Sequence, residues 1–159
     1  MTVRYGSRTI LRDFNWEVRC GEHWALTGQN GAGKSTLLSL VCADNPMAYA
    51  CDISLFGKRR GSGESIWDIK RRIGYVSPEM SLTYNVSLKA VEIVASGLRD
   101  TIGLYGRSNA EEEARSLAWM EIFGIGNLAA RDYRTLSSGE RQLVLLARAF
   151  VKGPQLLIL

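Results

Sequence analysis

The sequence predicts an α/β fold in which a parallel sheet packs against helices and a helical segment is inserted between two of its strands. Three observations support this. An apolar stretch, a glycine-rich loop and an amphipathic helix follow one another at residues 23–43. Apolar stretches of strand length recur at residues 73–76 and 155–159. Between these two stretches, residues 88–150 carry mainly helical periodicity, which is typical of an inserted helical region.

The N-terminal part of the chain is predicted to form short β-strands. Residues 3–5 and 9–11 flank a glycine-containing turn and indicate a hairpin. Residues 14–18 alternate between apolar and polar, as in a half-buried strand. Residues 23–27 and 53–56 are short apolar stretches that each end at a glycine. We therefore expect a β-rich start, with residues 23–27 as the strand that leads into the glycine-rich loop.

Helical patterns dominate the second half. Apolar residues recur on one helical face at residues 88–95. A second helix is predicted over residues 110–123, and three glutamates in its first turn suit the helix dipole. A third is predicted from about Gly139, and Gly153 and Pro154 end it.

Composition excludes several classes of protein. The chain has 159 residues, 46% hydrophobic and 23% charged, as expected for one globular domain. It shows no long uncharged apolar run and no signal-peptide pattern, so we expect a cytoplasmic protein. Three cysteines without a CxxC pair argue against a disulfide framework or a zinc site. The single histidine, His23, excludes HExxH metal sites, and we expect it to be an ordinary strand residue.

The strongest motif is residues 28–36, which match GxxxxGK[ST] at every fixed position. Glycines allow the backbone N–H groups to form an anion nest, and the start of the following helix adds partial positive charge. The lysine is expected to bridge the β- and γ-phosphates, and the Ser35 hydroxyl to ligate Mg²⁺. The motif predicts binding of ATP with Mg²⁺ by Gly28, Gln29, Asn30, Gly31, Ala32, Gly33, Lys34, Ser35 and Thr36.

A second motif, at residues 136–140, reads Leu-Ser-Ser-Gly-Glu and precedes the third helix. Alone it is a serine-capped helix start. Together with the phosphate loop, it makes the chain resemble the ATP-binding cassettes of ABC transporters, whose signature is Leu-Ser-Gly-Gly-Gln. The resemblance implies a P-loop NTPase fold: a RecA-like parallel sheet core, an N-terminal antiparallel β subdomain and a helical signature subdomain. It further implies contact with the ATP of a second cassette by Ser137, Ser138, Gly139 and Glu140.

Other cassette landmarks appear in order along the chain. Tyr5 resembles the aromatic residue that stacks on adenine, although an ordinary strand tyrosine is the alternative. Residues 73–79 resemble the Q-loop strand, and residues 156–159 the strand that leads into the Walker B aspartate. The resemblance implies an incomplete cassette, with residues 1–80 and 134–159 as the nucleotide-binding core and β subdomain and residues 81–133 as the helical subdomain.

The chain departs from the cassette pattern in three places. Pro78 and Glu79 stand at or next to the Q-loop glutamine, and Ser138 and Glu140 replace signature residues. The chain also ends at Leu159, before the family's Walker B aspartate, catalytic glutamate and switch histidine. We expect no catalytic residue within it. The 159 residues alone should bind nucleotide weakly, not hydrolyse it, and be marginally stable or self-associated.

Residues 21–24, 35–40, 55–70 and 73–77 resemble the second cassette of the ModF-type tandem ATPases, which are named for molybdate transport. This resemblance implies an ATPase that couples head-to-tail dimerisation and hydrolysis to molybdate-type uptake or its regulation. The implied partners are a second cassette, as a homodimer or in tandem, and a membrane permease at the inner face of the cell membrane.

Two other functions stay open. Residues 58–60 and 70–72 are basic, with Phe56 and Trp67 between them, and could contact nucleic acid or the ribosome. A solvated edge with the aromatic residues in the core is the simpler interpretation, so nucleic acid is the less favoured partner. The altered Q-loop and signature also fit a clamp that binds ATP as a dimer without hydrolysing it.

Overall fold

The computed structural model describes residues 1–77, 80, 84, 87–101 and 108–159. Within these ranges, 3-10 turns occur at Pro46–Tyr49, Gly126–Leu128 and Tyr133–Thr135. The helices and strands are β1 (Val3–Tyr5), β2 (Arg8–Leu11), α1 (Lys34–Val41), β3 (Ser54–Leu55), β4 (Lys58–Arg59), α2 (Ile66–Lys70), β5 (Ile73–Tyr75), α3 (Ala90–Ser96), α4 (Ala110–Ile122), α5 (Ser138–Phe150) and β6 (Leu156–Ile158). The chain divides into two compact units, Met1–Ile69 and Lys70–Leu159.

The first unit is built around the predicted hairpin and the helix after the glycine-rich loop. β1 and β2 pair antiparallel, with Tyr5 opposite Arg8, and β3 and β4 form a second short hairpin. The apolar face of α1 packs on the first hairpin because its leucines recur at helical spacing. The core of this unit consists of Val3, Leu11, Leu37, Leu40, Ala48, Cys51 and Ile53.

The described part of the second unit contains the predicted parallel strand pair and the helices α3, α4 and α5. β5 pairs parallel with β6, from Ile73 opposite Leu156 to Tyr75 opposite Ile158. A Cβ atom on Gly74 would lie 2.7 Å from the carbonyl oxygen of Ala149, so glycine permits close packing of β5 against α5. The buried residues of α3, α4 and α5 share one apolar core. The helical segment inserted between two parallel strands is therefore confirmed.

Two predicted strands are absent. Residues 14–18 and 23–27 belong to no strand of the described chain. Outside helices and strands, the described backbone of residues 14–32 forms a reciprocal pair of hydrogen bonds between Phe14 and Met1, and two local turns that end at Glu22 and Ala32. The two strand predictions are therefore wrong: a strand needs a ladder of backbone hydrogen bonds to a neighbour, and among the described residues of these two segments only Phe14 has such a partner. His23 is accordingly an exposed loop residue.

No helix in the described ranges is long and apolar enough to cross a membrane. The described cysteines are free thiols, with Cys42 and Cys51 buried and Cys20 exposed.

Candidate functional site

The glycine-rich loop has the backbone conformation that its glycines predict. Gly28, Gly31 and Gly33 adopt φ values of 152°, 82° and 94°, in a region that L side chains rarely enter. α1 begins directly after the loop at Lys34, with Gly33 as its N-cap. The first N–H groups of a helix have no partner within the helix, so they face the loop as donors for an anion.

The Lys34 ammonium folds back over the loop. Its Nζ atom donates hydrogen bonds to the carbonyl oxygens of Gly28 at 2.6 Å and Gln29 at 2.9 Å. Both acceptors are neutral. A phosphate oxygen carries negative charge and forms a stronger hydrogen bond with an ammonium group, so Lys34 is placed to exchange these carbonyls for a phosphate.

A cavity of about 340 Å³ opens beside Lys34. Its size is at the lower end of the range of small-molecule sites. Most of its lining was predicted from the motif, but two lining residues come from β2 and were not. The lining residues are Arg8, Ile10, Asn30, Gly31, Gly33, Lys34, Ser35 and Thr36. The lining contains two basic groups, two hydroxyl groups and no carboxylate, which suits a phosphorylated ligand.

The hairpin packs directly on the end of the loop. A Cβ atom on Gly33 would lie 3.0 Å from Cγ2 of Ile10 and 3.0 Å from Cδ2 of Leu11. This contact explains why β2 contributes to the cavity. No sequence motif indicated it, because the contact joins two elements that are separated by a long loop.

Tyr5 lies on the hairpin but does not line the cavity. Its side chain is 46% exposed, and its hydroxyl oxygen accepts a hydrogen bond from Nδ2 of Asn45 at 2.5 Å. The ring is therefore held at one end and open to a ligand. Of the other predicted loop residues, Gly28 and Gln29 contact Lys34 through their carbonyls, and Ala32 donates to the Gln29 carbonyl at 3.2 Å.

The second motif forms the start of α5. Ser137 is the N-cap: its hydroxyl accepts from the N–H of Glu140, and the Glu140 carboxylate accepts from the N–H of Ser137 at 2.7 Å. This reciprocal capping box is readable from the sequence as Ser-x-x-Glu. The hydrogen bond from the Ser137 N–H lowers the pKa of Glu140, and Arg131 at 3.6 Å contributes. Ser138 and Gly139 are exposed.

The turn before α5 is held by an ionic and hydrogen-bonding cluster that the sequence did not reveal. The Asp132 carboxylate accepts hydrogen bonds from the Ser87 hydroxyl at 2.6 Å and from the guanidinium of Arg134 at 2.9 Å. These donors, Arg134 first, hold the pKa of Asp132 far below its ordinary value. Beside it, burial raises the pKa of Tyr133 to about 12. The signature motif therefore starts from an anchored turn.

The two basic triplets are largely engaged in local contacts. In the first, Arg60 is only 6% exposed and its guanidinium lies 4.9 Å from the ring centroid of Tyr49. Arg59 pairs with Asp52 at 3.2 Å. In the second, Arg72 donates to Oε1 of Gln155 at 2.6 Å. These contacts leave few of the basic groups available for a nucleic-acid backbone.

Trp67, which we expected in the core, is 56% exposed. It lies on α2, a helix of five residues that has one buried residue, Ile69, so most of this short helix faces outward. The Q-loop departures, Pro78 and Glu79, lie outside the described residues.

Known proteins resemble this chain closely. The protein-family model for the ABC transporter family matches residues 11–159. The ABC transporter ATP-binding protein ModF of Escherichia coli (strain K12) is 48% identical over 158 residues, which is 99% of this chain and 32% of that protein. The uncharacterized ABC transporter ATP-binding protein YlmA of Bacillus subtilis (strain 168) is 35% identical over all of this chain and 60% of its own length.

A solved structure of the ATP-binding subunit of an ABC transporter has a TM-score of 0.74 at 27% identity, covering 99% of this chain and 62% of that one. This similarity confirms the P-loop NTPase fold class. The chain spans about a third of ModF and less than two thirds of YlmA. Members of the family bind ATP, typically with Mg²⁺, and act as ATPases in dimers. Because the family model matches nearly the whole chain and the phosphate loop and signature both occur within that match, the chain belongs to the ABC transporter family of ATP-binding proteins.

Proposed function

We propose that this chain binds Mg-ATP at residues 28–36 and that the protein containing it couples ATP-driven dimerisation and hydrolysis to transport. The observation that carries the proposal is the cavity at the start of α1, where Lys34, Ser35 and the positive-φ glycines meet. Its basic lining and lack of carboxylates suit a polyanion.

The residues around the cavity have separate roles. The loop N–H groups and the start of α1 bind phosphate oxygens. Lys34 releases the carbonyls of Gly28 and Gln29 and contacts the β- and γ-phosphates. The Ser35 hydroxyl is a ligand for Mg²⁺, which supplies charge neutralisation of the phosphates when bound. Tyr5 stacks on the adenine ring.

The signature motif acts on the nucleotide of a second cassette, either a second copy of the chain or a tandem domain. Ser137, Ser138, Gly139 and Glu140 form the start of α5, and the first three are exposed. The start of a helix carries partial positive charge, and together with a serine hydroxyl it suits a phosphate. We propose residues 81–133 as the helical subdomain that carries this motif, and residues 1–80 and 134–159 as the core.

A permease at the inner face of the cell membrane is the proposed partner, and molybdate-type uptake or its regulation the proposed process. The support is the 48% identity to a protein named ModF. The 159 residues by themselves are proposed to bind nucleotide weakly and not to hydrolyse it, because the carboxylates that polarise water and hold Mg²⁺ in the family follow the strand equivalent to β6.

Nucleotide binding is tested with the full-length protein and a fluorescent ATP analogue. Lys34→Ala should weaken binding about 10- to 100-fold, since a charge-assisted hydrogen bond is lost. Lys58→Ala is the matched control: this lysine is exposed and lies outside the cavity, so the variant should bind like the parent. Equal affinity of parent and Lys34→Ala would overturn the site assignment.

The process is tested separately. ATP-dependent co-purification with a permease, and molybdate uptake that Lys34→Ala abolishes, support the transport role. Retention on RNA or DNA that falls steeply with added salt would instead support a nucleic-acid ATPase. Nucleotide-dependent dimers that release no phosphate would identify a non-hydrolysing clamp.

A further inference from the structure

We propose that Arg8 binds the phosphate chain of the nucleotide at the α-phosphate, on the side nearest the base. No motif indicated this residue. The proposal rests on the proposed function, because it assigns a further contact of the same nucleotide.

The hairpin register places Arg8 toward the site. Arg8 is the cross-strand partner of Tyr5, and directly opposed residues on antiparallel strands project from the same face. Arg4 precedes Tyr5 on β1 and is paired with Thr9, so it projects from the opposite face. Within one short hairpin, one arginine therefore faces the phosphate loop and the other faces away.

The hairpin packs against the loop, so moving Arg8 away from the cavity would break packing contacts. A Cβ on Gly33 would lie 3.0 Å from the side chains of both Ile10 and Leu11, which is closer than van der Waals contact. Arg8 and Ile10 line the cavity together with Lys34, Ser35 and Thr36. Arg8 is thus a second basic residue of the cavity lining, and it lies on the hairpin, whereas Lys34 lies at the start of α1.

Arg8 is available for a ligand. It makes no hydrogen bond or ion pair with any other residue in the described part of the chain, and the cavity lining includes no carboxylate to neutralise it. A guanidinium group presents a planar fork of donors that matches two oxygens of one phosphate. Arg8 can therefore bind a phosphate beside the anion-binding loop without first breaking an internal hydrogen bond or ion pair.

The position along the phosphate chain follows from its neighbours. Lys34 belongs to the loop that surrounds the terminal phosphates, and Tyr5, on the other strand of the hairpin, is the proposed stacking partner of the base. Arg8 lies on the hairpin opposite Tyr5 and at the cavity with Thr36. The phosphate nearest the base is the α-phosphate, which ATP and ADP share. Arg8 should therefore affect ATP and ADP equally, whereas Lys34 should affect ATP more.

The test uses the full-length protein and measures dissociation constants for ATP and ADP. Arg8→Ala should weaken both nucleotides by a similar factor of about 10- to 100-fold, and Arg8→Lys should recover part of the loss. Arg8→Gln keeps the length and a donor but loses the charge, and it should behave like Arg8→Ala. Arg4→Ala is the matched control and should stay within about twofold of the parent. Circular dichroism confirms that each variant is folded.

Three results would contradict the proposal. If Arg8→Ala binds like Arg4→Ala while Lys34→Ala has lost affinity, the nucleotide site stands and the role of Arg8 is wrong. A loss with Arg8→Ala that Arg8→Gln does not share would indicate a packing role and would also overturn it. If the parent binds neither nucleotide, or Lys34→Ala binds like the parent, both this proposal and the proposed function fail.

Discussion

Gly33 and Ile10 are in direct contact: a Cβ atom on Gly33 would lie 3.0 Å from Cγ2 of Ile10 and 3.3 Å from its carbonyl oxygen. Gly33 also adopts φ of 94°. Glycine is therefore required at position 33 for two reasons, the positive φ of its backbone and the close approach of β2. This contact joins the hairpin to the loop and forms one wall of the cavity.

Gly33→Ala should lower the free energy of unfolding and weaken nucleotide binding. The left-handed conformation costs an alanine about 1–2 kcal/mol, and crowding against a packed strand costs about 1–3 kcal/mol more. Chemical denaturation measures the change. Gly31→Ala is the control, because Gly31 has φ of 82° but nothing within 4 Å of its Cβ position. Equal destabilisation by the two variants would show that the contact with Ile10 contributes nothing.

Tyr5 should stack on the base with little discrimination between bases. Stacking on an aromatic ring contributes about 1–3 kcal/mol per base in nucleic-acid complexes and tolerates any base. Tyr5→Ala should therefore weaken ATP binding, whereas Tyr5→Phe should retain most of it. GTP should compete within a few-fold of ATP in a displacement assay. A hundredfold preference for ATP would mean that hydrogen bonds read the base, and Tyr5 would lose its assigned role.

Ser137 should act on the nucleotide of the partner cassette. In the full-length protein, Ser137→Arg places a long cation at an exposed helix start and should abolish ATP-dependent dimers, which size-exclusion chromatography detects. Mixing Ser137→Arg with Lys34→Ala should restore one of two composite sites and part of the association. Ala118→Arg, on the exposed surface of α4, is the control. Normal dimerisation of Ser137→Arg would contradict a role in trans.

Acid should destabilise the start of α5 through Glu140. Its folded pKa is lowered, chiefly because its carboxylate accepts the N–H of Ser137, below the ordinary value of 4.5. A group with a depressed folded pKa stabilises the fold above its unfolded pKa, and this stabilisation is lost as pH falls through the folded pKa. As the pH is lowered below about 4.5, the free energy of unfolding should therefore decrease in both proteins, with a smaller slope in Glu140→Gln than in the parent. Titrating stability from pH 7 to pH 3 measures both slopes.

Identical slopes in the two proteins would show that the Glu140 carboxylate is not held in its cap in solution.

The parts that the sequence determined are local in origin. Glycine at position 6 and the flanking strand formers predict the hairpin. The acidic first turn and apolar periodicity predict α4 to within one residue at each end, and the serine cap predicts the start of α5 to within one residue. The phosphate loop is one continuous segment, so its glycines, lysine and hydroxyls come together without help from distant residues. That is why the principal candidate site could be predicted before any tertiary structure was known.

Tertiary structure alone decided the features that need a partner distant in sequence. Residues 23–27 have a strand-like pattern but no hydrogen-bonding neighbour among the described residues, and periodicity reports which face is apolar rather than what pairs with it. Arg8 became a candidate only because Ile10 packs against Gly33. The ionic cluster of Asp132 and Ser87 joins segments far apart in the chain. A sequence pattern records a residue's own preference, whereas strand pairing, burial and a shared cavity are properties of two segments at once.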